Sequence, residues 1–479
     1  MYNPVSSLAD EFIDHQEVLD TLAYADKNKN NIELIDSLLE KAKPRKSERE
    51  IRCAGLTHRE ASVLLACEVP EKVKAMYDLA EEIKKAFYRN RIVIFAPLYL
   101  SNYCVNGCVY CPYHTKNKSI PRVKLSQEDI LKEVNALQDM GHKRLALECG
   151  EHPQMNPIDY VLDSIKTVYS VRNKNGAIRR VNVNIAATSV ENYRKLHDAG
   201  IGTYILFQET YHKESYRTLH PSGPKHDYNY HTEAMDRAMR GGIDDVGLGV
   251  LFGLERYRYE FAALLMHAEH LEAAFGVGPH TISMPRIKHA DDIDVNDFDN
   301  SISDDIFAKL CALVRIAVPY TGMIISTRES QAVREKVIPL GVSQISGASR
   351  TTVGGYEKEE RPHDTEQFDV SDQRTLDEVI KWLMDMGYIP SFCTACYREG
   401  RTGDRFMSLC KSGQIQNCCH PNALMTLKEY LMDYAKPRTF TAGQRLIERE
   451  IPTIPNGKIR EKIRFWLSDI ENGKRDFRV

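Results

Sequence analysis

Arg91-Ile-Val-Ile-Phe-Ala-Pro-Leu98 is a short apolar run, and a few residues later the chain reads Cys104-Val-Asn-Gly-Cys108-Val-Tyr-Cys111. The run reads as a β-strand, and the three cysteines sit on the loop that leaves it. Seven more β-branched or apolar runs follow: Arg144–Cys149, Arg180–Ala186, Thr203–Gln208, Asp245–Phe252, His280–Pro285, Gly322–Thr327 and Val342–Ser346. Between them lie stretches with helical spacing of apolar residues: Gln127–Met140, Pro157–Tyr169, Val190–Ala199, Tyr230–Met239, Tyr257–Phe275, Asp304–Val318 and Gln331–Ile338. Ser126-Gln-Glu-Asp and Thr188-Ser-Val-Glu supply N-caps with acids in the first turn. Strands that alternate with helices pair in parallel, and eight is the number that closes a (β/α)8, TIM-type barrel of the α/β class. An open doubly wound sheet is the alternative.

Working outward, the chain of 479 residues divides into three. Residues 1–90 are polar and helical, with three- and four-residue apolar spacing in Asn31–Lys43 and Arg59–Val69, and are expected to form an N-terminal extension. Residues 91–355 form the barrel. Residues 356–479 open with the charged segment Tyr356–Phe368, which reads as a linker, and continue as a mostly helical C-terminal domain. With 64 Lys and Arg against 67 Asp and Glu, the net charge of −3 gives no footprint for nucleic acid or an anionic membrane. The longest apolar run, Ile92–Leu100, is about half the length of a membrane span. Asp10, Glu11 and Asp14 precede any apolar stretch, which argues against a secretory signal and for a cytoplasmic protein.

Clustered cysteines in a reducing compartment point to metal or catalysis. Six of the twelve fall in two groups: Cys104, Cys108 and Cys111, then Cys393, Cys396 and Cys419. The others read as small buried hydrophobes. Three thiolates on one short loop suit three irons of a cuboidal cluster, and the missing fourth leaves one iron open to a small molecule. A structural zinc site is the bland alternative, but such sites close with four ligands. Ser326-Thr327-Arg328-Glu329 ends the seventh strand, where the Arg328 guanidinium can grip a substrate carboxylate with two parallel hydrogen bonds. A surface ion pair of Arg328 with Glu329 is the alternative there.

The C-x3-C-x2-C spacing, with Tyr110 just before the last cysteine, resembles the radical S-adenosylmethionine (SAM) superfamily. In that superfamily the open iron chelates SAM, and one electron from the cluster cleaves it to a 5′-deoxyadenosyl radical. The resemblance implies that Gly150 and Glu151, after the second strand, take the SAM amino group, with Tyr110 beside them. It also implies that Glu209, in Gln208-Glu209-Thr210-Tyr211-His212, takes the ribose. An ordinary turn and a solvated loop are the alternatives at these two places.

Arg180-Val-Asn-Val-Asn-Ile-Ala-Ala, Leu206-Phe-Gln-Glu-Thr-Tyr-His, Gly278-Pro-His-Thr-Ile-Ser-Met-Pro-Arg and Ser326-Thr-Arg-Glu are similar to the tyrosine- and tryptophan-cleaving group of these enzymes. Two branches compete: the 2-iminoacetate synthases of thiamine synthesis and the [FeFe]-hydrogenase maturases, both of which release p-cresol from L-tyrosine. Cys393-Thr-Ala-Cys396, with Cys419 after twenty-two intervening residues, resembles the C-x2-C-x22-C pattern of the maturases. Cys418 competes with Cys419, and a zinc site that includes His420 is the alternative. The maturase resemblance implies a second [4Fe–4S] cluster with a fifth iron bridged by free L-cysteine, on which carbon monoxide and cyanide from dehydroglycine are assembled. It implies a ferredoxin or flavodoxin reductant and a maturation scaffold protein as recipient. A non-catalytic iron–sulfur scaffold or carrier is the reading from another class.

Parallel strands all start at one face, so the first cysteine group lies at the top of the barrel and His280, opening the sixth strand, at the bottom. Strands of about seven residues separate the faces by roughly 20–25 Å. The maturase resemblance implies one histidine on the fifth iron, and His280 is the best geometric match if the C-terminal domain plugs the bottom; a structural histidine is the alternative there. His267 and His270 compete, but the apolar stripe Leu264, Ala268, Leu271 and Phe275 sets their helix on the barrel's outside.

Overall fold

The computed structural model describes residues 1–47, 50–357, 365–454 and 456–479. Eight parallel strands close on themselves in chain order: β1 (Arg91–Ser101), β2 (Arg144–Cys149), β3 (Arg180–Asn184), β4 (Tyr204–Ile205), β5 (Val246–Gly249), β6 (Thr281–Ser283), β7 (Gly322–Ile325) and β8 (Gln344–Ser346). The seam pairs Gln344, Ile345 and Ser346 with Val93, Ile94 and Phe95. All eight expected strands are present and the open-sheet alternative falls, because an open sheet has no β8–β1 pairing.

Helices cover the barrel where the periodicity puts them, and their ends follow local capping chemistry. Ser126 and Asp129 form a reciprocal capping box, satisfying donors that the first helical turn leaves free. In the Thr188-Ser-Val-Glu segment the cap is Ser189, whose side chain accepts from the Asn192 backbone. The helix expected over Tyr230–Met239 is two helices, Tyr228–Thr232 and Ala234–Arg240. Thr232 explains the break: its hydroxyl bonds back to the Tyr228 carbonyl at 2.7 Å and accepts the Gln208 amide at 2.9 Å.

The N-terminal helices pack on Tyr257–Phe275 and Asp304–Ala317. That packing settles two of the competing histidines. His270 is buried, stacked on Phe12 and bonded to Asp236 and the Pro4 carbonyl, while His267 meets the Tyr211 hydroxyl at 2.8 Å. Both are structural histidines on the outside of the barrel. Among the described residues no helix is long and apolar enough to cross a membrane.

Beyond residue 355 the chain is woven into the barrel before it leaves it. Of the expected linker Tyr356–Phe368, residues 358–364 lie outside the described residues. Helix Leu376–Asp385 covers the exit of β8 at Gly347 and serves as the eighth barrel helix. A ninth strand, β9 (Ile389–Ser391), pairs in parallel with Arg91–Val93, on the stretch of β1 below the point where pairing with β2 begins at Ala96. Helices Gly403–Lys411, Gln416–Asp433, Pro437–Glu450 and Gly457–Glu471 follow.

Asp372 ties this crossing segment to the barrel. Its carboxylate pairs with the fully buried Arg334, which also donates to the Ser346 carbonyl at the end of β8, and with Arg374 at 2.6 Å. Replacing Asp372 with Ala leaves the Arg334 charge buried and unpaired, so stability should fall by about 3–5 kcal/mol. Denaturant titration checks this; a loss under about 1 kcal/mol would mean that the pair behaves as a surface one.

Candidate functional site

The loop that leaves β1 is held against the end of β2 by backbone bonds from Gly150 to Ser101 (3.0 Å) and from Val105 to Glu151 (2.7 Å). Cys104, Cys108 and Cys111 thereby line one cavity of about 160 Å³ at the C-terminal mouth of the barrel, together with Tyr110, Gly150, Glu151, Glu209 and Arg328. Gly150 is required by close approach: a Cβ there would stand 2.4 Å from the Tyr103 carbonyl oxygen and 3.3 Å from the Cys104 Cβ. Burial pushes the Cys108 thiol up to about 12 and raises Cys111 as well. Thiols in such a place ionise only against a cationic partner, which cluster irons provide.

The expected cofactor residues converge here, each with its partner. Glu151 accepts from the Asn106 amide at 2.6 Å. Glu209 takes a left-handed backbone (φ +66°) and is paired with Lys225 at 2.9 Å, so it is no solvated loop residue. The Tyr110 hydroxyl lies 2.7 Å from His220 Nε2. His220 Nδ1 faces the Tyr216 carbonyl, which it must donate to, and burial pushes the imidazole down to about 3, so neutral Nε2 accepts from Tyr110. Asn106 and Lys225 escaped the sequence reading. Asn106 was visible inside the cysteine motif, whereas Lys225 reaches the site from a loop with no motif.

Arg328 is free of the ion pair expected as its alternative. Glu329 binds Arg286 with both carboxylate oxygens, while the Arg328 guanidinium lies 3.5 Å over the Phe368 ring. Phe368 and Gln367 come from the far end of the expected linker and close over the mouth, Gln367 accepting from the Tyr99 hydroxyl at 2.8 Å.

Below this mouth the lumen holds two more cavities, of about 90 and 60 Å³. Their linings step down the strands two residues at a time, as inward-facing side chains must. Phe95, Ala146, Ile324 and Ser346 line the middle cavity, and Val93, Arg144, Gly322 and Gln344 the lower one. The two therefore lie one inward layer apart, about 7 Å along a strand. Tyr99, Glu148, Asn184, Phe207 and Arg328 belong to both the upper and the middle cavity and form a neck between them.

The lower cavity is lined by Cys393, Cys396 and Cys419, with His280, Tyr397 and Arg91. Cys418 is not part of that lining. β9 delivers Cys393 to this face, and Arg144 Nη2 fixes the Cys393 carbonyl at 3.1 Å. His280 Nε2 lies 2.8 Å from the Tyr397 hydroxyl, and Nδ1 lies 3.4 Å from Asp245. His420, the alternative zinc ligand, is turned to Thr453 at 3.2 Å. Among the described residues no three ligating side chains converge tightly enough for a single ion.

A closed parallel barrel whose first strand feeds a C-x3-C-x2-C loop into its C-terminal mouth defines a radical SAM enzyme. Residues 98–265 match the radical SAM superfamily and residues 283–389 the Biotin and Thiamin Synthesis associated domain. A 2-iminoacetate synthase of Salmonella typhimurium is 30% identical over 344 residues, covering 72% of this chain and 88% of the relative. A crystal structure of HydG, a maturase of the [FeFe]-hydrogenase, is 51% identical, with 98% of this chain and 100% of that one covered and a TM-score of 0.91. The HydG of Carboxydothermus hydrogenoformans is 39% identical, with 96% and 100% covered and a TM-score of 0.82. The chain belongs to the HydG family of [FeFe]-hydrogenase maturases, and with it comes a [4Fe–4S] cluster and SAM.

Because Gly150 sets the approach of the cysteine loop, Gly150→Ala should displace Cys104. After anaerobic reconstitution the variant should lose most of the iron held by Cys104, Cys108 and Cys111. Iron analysis reads this directly; full loading would show that the close contact is not needed.

Proposed function

We propose that the chain is a radical SAM tyrosine lyase that makes carbon monoxide and cyanide for the [FeFe]-hydrogenase active site. One observation carries the reading: two three-cysteine cavities lie at opposite ends of one barrel, with the Arg328 neck below the upper one. When bound, the upper cluster and SAM supply a radical that takes hydrogen from the tyrosine amino group, and Cα–Cβ scission then yields p-cresol and dehydroglycine. The protein's own part is positioning and the exclusion of water. Cys104, Cys108 and Cys111 would hold the upper cluster, Gly150, Glu151, Glu209 and Tyr110 the SAM, and Arg328 the tyrosine carboxylate. Phe368, Tyr99 and Phe207 wall the neck with aromatic surface suited to a phenol ring.

Cys393, Cys396 and Cys419 would hold a second [4Fe–4S] cluster, and His280 a fifth iron bridged by free L-cysteine. Asp245, 3.4 Å from Nδ1, would orient the ring from behind, and Nε2, which meets the Tyr397 hydroxyl in this structure, would exchange it for iron. Fragments of dehydroglycine need travel only through the stacked cavities to reach it. A maturation scaffold protein would receive the loaded iron, and a ferredoxin or flavodoxin would supply electrons. A 2-iminoacetate synthase would leave the lower cysteines without a task, and a passive carrier would leave Arg328 without one.

Reduced, iron-reconstituted protein given SAM and tyrosine should produce p-cresol together with carbon monoxide and cyanide; p-cresol without either would favour the synthase, and no SAM consumption the carrier. His280→Ala should keep p-cresol formation and lose carbon monoxide delivery and the fifth-iron paramagnetic resonance signal. Survival of that signal would reject the His280 assignment.

A further inference from the structure

Along β2, Arg144, Ala146 and Glu148 share the inward face, while Leu145 and Leu147 are buried on the outer one. Glu148 therefore points into the neck, where it lines the upper and middle cavities together with Arg328. Of the acids lining the upper cavity, Glu209 is neutralised by Lys225 and Glu151 is engaged by Asn106. Glu148 has no cationic side chain in an ion pair among the described residues; its polar neighbours are Asn184, opposite it on β3, and Arg328. The neck thus carries one cation and one acid on its lining. An α-amino acid carries an anion and a cation on a single carbon, so its complement is a pair of this kind.

We infer that Glu148 receives the α-amino nitrogen of the amino-acid substrate, carboxyl and nitrogen sharing a single proton so that the nitrogen can stand in the neck as a free amine. This rests on the tyrosine lyase reading and adds to it a positioning and proton-holding residue. The protons balance: Glu148 and the ammonium each bring one, one N–H bond breaks and its proton passes to solvent, the O–H bond of Glu148 is kept, and the nitrogen keeps its lone pair. Removing a hydrogen atom from a cationic nitrogen would leave an aminium radical cation, its charge still on the nitrogen in a dry cavity, and prior loss of the proton avoids that.

The electrostatics allow the shift. Burial pushes Glu148 up to about 8, against the pull of Arg328 and Asn184 in the other direction. An α-amino group titrates at roughly 8 or above, so the two compete for one proton on near-equal terms, whereas an ordinary glutamate, at about 4.3, would not. The other titratable groups facing Glu148 are Tyr99, Tyr113 and Cys149, and burial holds all three well above neutrality. They stay neutral near pH 7.

The charge count gives a test that needs no turnover. Near pH 7 the empty site holds a protonated Glu148 and free tyrosine holds a protonated amine; the complex keeps one of these two protons. Binding of tyrosine to the SAM-loaded protein should therefore expel close to one proton, read by calorimetry in buffers of different ionisation enthalpy. Glu148→Gln should expel none. It should also lose most of the preference, about tenfold or more, for tyrosine over 3-(4-hydroxyphenyl)propanoate, which lacks the amine. In turnover the variant's p-cresol rate at pH 7 should drop and recover as pH rises through the amine's own range. Glu148→Asp, which keeps the acid, should retain part of the preference.

Equal proton release and unchanged discrimination in Glu148→Gln would overturn the inference, as would a p-cresol defect that no rise in pH repairs while SAM and iron are still bound. A wild-type protein that makes no p-cresol would sink the lyase reading instead, and the two binding measurements would still decide the role of Glu148.

Discussion

Closure of β8 onto the middle of β1 is the constraint on which the other features depend. Eight parallel strands closed this way send every strand end to one mouth and every strand start to the other. β1 is long enough to serve both: its upper end runs into the first cysteine loop, and its lower end pairs with β9, which presents the second. One strand therefore fixes the relation between two sites that lie far apart in sequence. A closed sheet also has no free edge, so the lumen stays a walled passage filled by inward side chains in layers.

The layers differ in charge, and the differences follow the chemistry each must hold. Lys225 and Glu209 neutralise each other beside the upper thiols, whereas at the lower end Arg91 is buried, lines the cysteine cavity and leaves its Nε without a hydrogen-bond partner among the described residues. An isolated buried guanidinium is costly unless an anion faces it. Three thiolates around an iron–sulfur cluster would be that anion. In the neck, Arg328 and Glu148 would play the corresponding part for a small zwitterion.

The sequence was most readable where periodicity and local chemistry decide the outcome. Arg144–Cys149 and Tyr257–Phe275 match the expected ranges to the residue, since each is a regular run with sharp ends. β4 shrank to Tyr204–Ile205 because the chain beyond it leaves the ladder to form the mouth, ending in the left-handed Glu209. β9 was invisible: three residues including Pro390 carry no strand signal, and only pairing with β1 makes them one. That each cysteine group would line one cavity, with His280 beside the second, was legible, because spacing and strand position survive without tertiary detail. Glu148 was legible in principle, as a polar residue in step with Arg144 on an apolar strand. Lys225 was not, because a solitary lysine in a loop acquires meaning only from the Glu209 that folding brings to it.

The central claim is that one lumen joins two iron–sulfur sites at its opposite ends. An iron anomalous-difference map from crystals of the anaerobically reconstituted protein tests it most directly. The account predicts two separate peaks on the barrel axis, one beside Cys104, Cys108 and Cys111 and one beside Cys393, Cys396, Cys419 and His280, roughly 20–25 Å apart. A single peak, or two on the same face of the barrel, would contradict it.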